Sequence, residues 1–122
     1  MSESKRTIVL GAVAFPSGHA FKAVHALVKK GHEVIPLGIR DGAIADIEII
    51  KHKPKLQTID TVTVYLNRSN QVEWYDYLLE LNPNRVIFNP GTENRELRSL
   101  LQEKNIYSVE DCTLVMLAVG RY

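Results

Sequence analysis

Short apolar runs alternate along this chain with segments of helical periodicity, and this alternation limits the possible folds more than any other feature. The first run, residues 7–11, is rich in β-branched residues and free of charge, as is typical of a strand buried on both faces. Similar strand patterns occur at residues 32–38, 60–66, 84–89 and 106–109, with a short one around Ile47–Ile50. Helical patterns lie between or after them, at residues 17–30, 70–81, 93–104 and 111–119.

Strands that alternate with helices form right-handed βαβ units, in which helices cover both faces of a parallel sheet. The sequence therefore predicts an α/β fold: a three-layer, Rossmann-like, doubly wound and mostly parallel sheet of about five strands. We expect the first strand to lie at the centre of the sheet. The 122 residues suffice for one domain, which we place at residues 7–122, after a disordered segment at residues 1–6.

Two of the helices carry more specific expectations. Ser17 is the predicted N-cap of the first helix, and Gly31 follows its last turn. For the helix over residues 70–81, the expected inward residues are Val72, Tyr75, Leu78 and Leu79. Trp74 and Tyr77 would lie on this helix outside the proposed cleft, as exposed aromatics that could mark an interface.

The composition excludes several classes of protein. With 15 basic and 14 acidic residues, the net charge of +1 gives no basic footprint for nucleic acid. No apolar run is long enough to cross a membrane. The single cysteine, Cys112, cannot form an internal disulfide, and the opening residues "MSESKRT" do not resemble a signal peptide. We therefore expect a cytoplasmic protein.

In an open α/β sheet, ligands bind beyond the carboxyl ends of the strands, where the strand order reverses. The segments to inspect are therefore those that follow the strands: "GAVAFPSGHAF", "GIRD", "YLNRS" and "NPGTE". They contain small residues, amides, hydroxyls and two arginines. They contain no recognisable set of acid, base and nucleophile, so we predict no catalytic residue and no metal site.

The first of these segments lacks the G-x-G-x-x-G pattern of dinucleotide-binding proteins, because Gly11 and Gly18 are its only glycines. A phosphate needs free backbone N–H groups at a helix start and little side-chain bulk. Residues 17–20 can supply both, so phosphate binding is favoured over a plain strand-to-helix turn. His19 could also donate to a phosphate, although a solvent-exposed histidine fits the position as well.

The end of the second strand distinguishes between nucleotides. NAD-binding proteins place an acidic residue there to accept hydrogen bonds from the ribose hydroxyls. This chain has Gly38, Ile39 and then Arg40, and an arginine suits a phosphate on the ribose instead. NADP and coenzyme A (CoA) both carry such a phosphate. A solvated surface arginine remains the alternative.

These segments resemble the small, single-domain CoA-binding proteins, whose Rossmann-like fold is shared with the nucleotide domain of the succinyl-CoA synthetase α subunit. Gly11, Ala12, Pro16 and Ser17 align with the family's opening motif without a gap, and Arg40 falls on a basic position. "NPGTENREL" and "VEDC" resemble two later motifs. The chain departs from the family at Val13, where a serine is usual, at Gly38-Ile39 in place of Asn-Pro, and at Thr113-Leu114 in place of Pro-Lys.

The resemblance implies a particular ligand pose. The pyrophosphate would lie on the first loop, the phosphorylated ribose near Arg40, and the pantetheine arm along residues 65–68 and 89–91. Positive charge would come from Lys22, Arg40 and Arg68. The predicted cofactor-binding residues are Gly11, Ala12, Val13, Ser17, Gly18, His19, Ala20, Lys22, Gly38, Ile39, Arg40, Tyr65, Leu66, Asn67, Arg68, Asn89, Pro90 and Gly91.

The resemblance implies a protein that binds CoA or acyl-CoA without catalysis, as a sensor or regulatory subunit, and as a monomer or homodimer. Two alternatives remain open: an NAD(P)-binding domain of a multi-subunit oxidoreductase, and a degenerate interaction domain that binds no nucleotide. Cys112 would lie either near the pantetheine thiol or in the core as a small buried residue.

Overall fold

The computed structural model describes residues 4–122, which form a five-stranded parallel sheet with helices on both faces. The strands are β1 (Thr7–Leu10), β2 (Val34–Leu37), β3 (Ala43–Ile44), β4 (Ile47–Glu48), β5 (Thr61–Val64), β6 (Arg85–Phe88) and β7 (Tyr107–Glu110). The helices are α1 (His19–Lys29), α2 (Arg68–Gln71), α3 (Tyr75–Leu81), α4 (Arg95–Glu103) and α5 (Thr113–Ala118), with a 3-10 turn at Val72–Trp74. The predicted Rossmann-like α/β class is confirmed.

The strand order of the main sheet is β2-β1-β5-β6-β7, and every neighbouring pair is parallel. The expectation that β1 lies at the centre is wrong, because β5 occupies that place. The chain adds β2 on one side of β1, crosses over through residues 38–60, and then adds three strands on the other side. The order therefore reverses between β1 and β5. The hairpin of β3 and β4 lies within the crossover.

Both faces of the central strands are buried, which explains their uninterrupted apolar sequence. On one face, Ile8, Leu10 and Val64 pack against residues of α3 and α4, such as Leu78 and Leu97. On the other face, Val9 packs with residues of α1 and α5, including Val24, Leu27 and Leu117. The two cores fix the positions of the helices that border the carboxyl edge of the sheet.

The segment predicted as one helix over residues 70–81 is broken by the 3-10 turn. Because a 3-10 turn winds more tightly than an α-helix, the side chains after it occupy a different face. Val72 is 55% exposed, whereas Trp74 and Tyr77 are 5% and 9% exposed and their rings meet edge to face at 5.7 Å. The expectations of an inward Val72 and of an outward Trp74 and Tyr77 are therefore wrong.

The chain before β1 is held against the amino edge of the sheet. The Lys5 amide donates to Nδ1 of His32 at 2.9 Å, and Arg6 forms an ion pair with Glu33 at 3.0 Å. The predicted disorder of residues 1–6 therefore does not extend to Lys5 and Arg6, and residues 1–3 lie outside the described residues. No helix within residues 4–122 is long and apolar enough to span a membrane.

Candidate functional site

A cleft of about 670 Å³ opens at the carboxyl ends of the strands, on the α1 and α5 side of the sheet. A smaller cavity of about 290 Å³ adjoins it beyond the ends of β1, β2 and β5. Gly11, Val13, Tyr65 and Asn67 line both. The two cavities therefore meet where the strand order reverses, which is the position that the sequence predicts for the site.

The amino terminus of α1 faces the large cleft with unpaired backbone donors. Its N-cap is Gly18 rather than Ser17, and neither a capping side chain nor an acidic residue is present in the first turn. The Gly18 amide donates to the Phe15 carbonyl at 2.8 Å. The next three N–H groups, from His19 to Phe21, belong to a first turn that has no intrahelical acceptor for them. The positive end of the helix dipole is thus available to an anion.

Two glycines allow the loops after β1 and β2 to approach each other at backbone distance. Gly11 has a φ of +96°, and the amides of Gly11 and Ala12 both donate to the Leu37 carbonyl at 2.8 and 2.9 Å. A Cβ at Gly38 would lie 2.2 Å from the Ala12 carbonyl oxygen. Only glycine fits at residue 38 without displacing the first loop, so this residue shapes the floor of the small cavity.

Arg40 lines the large cleft and is exposed, and among the described residues it has no carboxylate partner. The neighbouring Asp41 instead pairs with Lys51 at 2.6 Å. An arginine without an acidic partner beside an uncapped helix start forms an electropositive wall. His19 lies on the same wall.

Asn89 forms the buried back wall of the cleft and is only 2% exposed. Its Nδ2 donates to Thr63 Oγ1 at 2.7 Å and to the Val64 carbonyl at 2.9 Å, and its Oδ1 accepts from the Thr113 amide at 2.9 Å. The side chain thereby ties β5, β6 and the start of α5 together. Asn89 lies in the cleft as predicted, but its amide is used within the protein.

A second buried amide, Gln71, joins the loops that follow β5 and β6. Its Nε2 donates to the carbonyls of Leu66 and Thr92, both at 2.8 Å, and its Oε1 accepts from Asn94 at 2.8 Å. Sequence reasoning missed this residue, because a glutamine near a helix start has the pattern of a surface position. The contact holds the rim of both cavities in place.

Tyr65 and Cys112 lie at the part of the cleft that borders α5. The Tyr65 hydroxyl is buried without a hydrogen-bond partner among the described residues, and burial raises its pKa to about 12. Cys112 is partly exposed and is the N-cap of α5. Of the two positions that the sequence left open for Cys112, the structure places it in the cleft wall.

The CoA binding domain family matches residues 5–118 of this sequence. The chain belongs to the CoA-binding domain family. The crystal structure of an uncharacterized protein matches this chain with 45% sequence identity and a TM-score of 0.97. The match covers 99% of this chain and 100% of that one. No curated protein matches the chain.

Two more distant structures share the CoA-binding domain fold of this chain. A protein from Thermus thermophilus is 23% identical with a TM-score of 0.85, over 98% of this chain and 91% of that one. An acetyl-coenzyme A synthetase from Candidatus Korarchaeum cryptofilum, in complex with phosphate and ADP, is 13% identical with a TM-score of 0.69. This chain covers 25% of that synthetase, and 87% of this chain is matched.

Most residues that the sequence predicts for CoA binding line one of the two cavities of this CoA-binding domain. The exceptions are Ser17, Lys22 and Arg68. Ser17 precedes the true N-cap, Lys22 is one position beyond the free amides, and Arg68 begins α2 outside both cavities. The structure adds Cys112, whose position the sequence left open, and lining residues that were not predicted: Phe15, Phe21, Leu37, Asn70, Glu73, Trp74, Thr92 and Leu114.

Proposed function

We propose that this protein binds CoA or an acyl-CoA in the carboxyl-edge cleft and acts as a binding module, such as a sensor or regulatory subunit. Membership of the CoA-binding domain family supports the ligand class. The observation that carries the proposal is the uncapped start of α1, which faces the cleft beside Arg40. Together these features offer backbone donors and a guanidinium to a ligand with several phosphates.

The pyrophosphate of CoA would accept hydrogen bonds from the N–H groups of His19, Ala20 and Phe21. Val13 occupies a position where family members have a hydroxyl, so this site relies on backbone donors. The phosphate on the ribose would pair with Arg40, whose guanidinium has no acidic partner within residues 4–122. A net charge of +1 is compatible with this anionic ligand because the positive groups are concentrated at one edge.

A binding role fits the titratable groups of the cleft better than a catalytic one. The ionisable side chains that line it are His19, Arg40, Tyr65 and Cys112. A tyrosine with a pKa of about 12 stays protonated at neutral pH and is a poor base. Among the described residues there is also no group of three or more histidine, cysteine or acidic side chains that could hold a metal ion.

An NAD(P)-binding domain is the second candidate, and Glu73 is the observation that favours it. This carboxylate lines the small cavity beside Gly38, where it could accept hydrogen bonds from ribose hydroxyls. The monomeric or homodimeric state and the cytoplasmic location stay predictions under either candidate.

Isothermal titration with CoA, 3′-dephospho-CoA, NADP and NAD tests the proposal. We expect CoA to bind most tightly and Arg40→Gln to weaken it about tenfold, since a charge-assisted hydrogen bond contributes about 1.5–3 kcal/mol. The same substitution should leave dephospho-CoA almost unchanged. Arg95→Gln, on α4 and outside both cavities, is the matched control. Binding of NAD or NADP without CoA would overturn the proposal in favour of the second candidate.

A further inference from the structure

We infer that the ligand is an acyl-CoA with an uncharged aliphatic acyl group, which lies in the part of the cleft farthest from Arg40. This inference rests on the proposed function and specifies its ligand. We call that part the acyl end of the cleft. It is lined by Pro90 and Thr92, which follow β6, and by Cys112 and Leu114, which follow β7.

The distance across the sheet separates the acyl end from the main cationic side chain. Arg40 follows β2, whereas Pro90 and Thr92 follow β6, three strands away in the sheet order. Neighbouring strands are about 4.8 Å apart, so the two ends of the cleft are separated by roughly 14 Å. If the phosphates of an acyl-CoA are held near α1 and Arg40, the thioester at the opposite end of the molecule can reach the acyl end of the cleft.

Apart from the buried Tyr65 hydroxyl, the polar side chains around the acyl end have their hydrogen bonds directed into the protein. Thr92 Oγ1 donates to the Asn89 carbonyl at 2.7 Å, and the hydroxyls of Thr113 and Thr63 bond to each other at 2.7 Å. The Asn89 amide is engaged as described above. A ligand therefore meets mainly carbon and sulfur atoms here, from Pro90, Leu114 and Cys112.

This surface favours an aliphatic group over a free thiol and over a carboxylated acyl group. Leu114 is only partly buried, so an acyl chain packed on it would remove apolar area from water. A carboxylate, such as that of succinyl-CoA, would lose its hydration without gaining a charged partner, because Arg40, the charged side chain that lines the cleft among the described residues, lies at the other end.

Titration with CoA, acetyl-CoA, butyryl-CoA and succinyl-CoA tests the inference. Butyryl-CoA should bind about tenfold more tightly than acetyl-CoA, since each buried methylene contributes about 0.8 kcal/mol. Succinyl-CoA should bind more weakly than butyryl-CoA by at least the same factor. Leu114→Lys should reverse this preference, because it places a cation at the acyl end. Val115→Lys, on the next residue of α5 and 46% exposed, is the control and should leave all affinities unchanged.

The outcomes separate this inference from the proposed function. If CoA and all three thioesters bind with equal affinity, the acyl assignment is overturned while CoA binding stands. If neither CoA nor any thioester binds, both are overturned. A melting temperature of Leu114→Lys close to that of the wild type shows that a changed preference does not come from unfolding. The wild-type ligand series is decisive even without that variant.

Discussion

The two edges of the sheet contrast in how they use their polar groups. At the amino edge, Tyr122 is the centre of a set of contacts. Its hydroxyl bonds to Thr7, its carbonyl accepts from Lys5 at 2.6 Å, and its ring lies 4.5 Å from the Arg85 guanidinium and 4.9 Å from the His32 ring. Arg85 also donates to Thr61 at 3.1 Å. Its Nη2 is buried without a hydrogen-bond partner, and it is the single such side-chain atom at this edge among the described residues.

At the carboxyl edge, polar groups remain available. The first-turn amides of α1, the Arg40 guanidinium and the Tyr65 hydroxyl have no partner within the described residues. The Arg40 guanidinium is exposed and the start of α1 lines the cleft, so both are accessible to a ligand. Buried atoms without a partner do not distinguish the two edges, because Tyr65 Oη lies at one and Arg85 Nη2 at the other. The comparison teaches that the same βα layout supports a closed, structural edge and an open edge, which we propose as the ligand site.

The largest effect is expected from Gly38→Ala at the carboxyl edge. The new Cβ would overlap the Ala12 carbonyl oxygen at 2.2 Å, so we expect a loss of about 4 kcal/mol in the free energy of unfolding. Urea denaturation measures it. Gly31→Ala is the control near the amino edge: its φ is +86° and no atom lies within 4 Å, so about 1 kcal/mol of backbone strain is expected. Equal losses at the two positions would contradict the close approach.

A smaller effect is expected from Asn89→Ala. The substitution removes three buried hydrogen bonds and leaves the Thr113 amide without an acceptor, so about 3 kcal/mol of stability should be lost. Asn67→Ala removes the N-cap of α2, where Asn67 accepts from the Asn70 amide at 3.0 Å, and should lose about 1 kcal/mol. Chemical denaturation of both variants checks this order. If Asn89→Ala keeps full stability, the back wall is not held as described.

The smallest effect concerns His32 at the amino edge. Burial lowers its pKa first, and the charges of Lys5 and Arg85 add to this, while Asp60 opposes it. His32 therefore binds a proton more weakly in the folded protein than in the unfolded chain. The unfolded chain takes up this proton below the usual histidine pKa, so the free energy of unfolding falls as the pH drops through about 6.5. His32→Gln keeps an acceptor for the Lys5 amide and should lose less in melting temperature between pH 7 and pH 5 than the wild type.

Asp60 provides a separate pH window at the same edge. Burial alone would raise its pKa, but hydrogen bonds from Thr61 and Asn84 and the charges of Lys5 and Arg85 together hold the pKa below its usual value. Its contribution to stability is therefore present above about pH 4 and is lost as the pH falls below it.

If His32→Gln and the wild type lose melting temperature equally between pH 7 and pH 5, the His32 assignment is wrong.

The sequence predicts the strands well because their apolar runs are uninterrupted and short. It also predicts the edge at which the cleft opens, since the loops after parallel strands meet there whatever the order of the strands. The order itself depends on where the crossover over residues 38–60 returns to the sheet, and no local pattern in that irregular segment records this. The central position of β5 could therefore not be read from the sequence.

The details of the site depend on contacts between distant segments. Cys112 and Leu114 reach the cleft because α5 packs on α1. The amide of Asn89 is used within the fold because α5 begins beside it. The 3-10 turn at residues 72–74 rotates Trp74 into the core, a change of phase that helical periodicity cannot anticipate. The free amides of α1 were predictable only in part, because the expected Ser17 cap would have accepted from one of them, whereas the N-cap is Gly18.

The CoA affinity of His19→Glu tests the central claim, that the uncapped start of α1 holds the phosphates, most directly. A carboxylate at this first position should stabilise the helix by about 0.3–1 kcal/mol while it repels the phosphates, so we predict at least a tenfold weaker Kd with an unchanged or higher melting temperature. His19→Gln, which leaves the backbone donors open, and His25→Glu, which is exposed later on α1, should both bind CoA within about threefold of the wild type. Wild-type affinity in His19→Glu would contradict the claim.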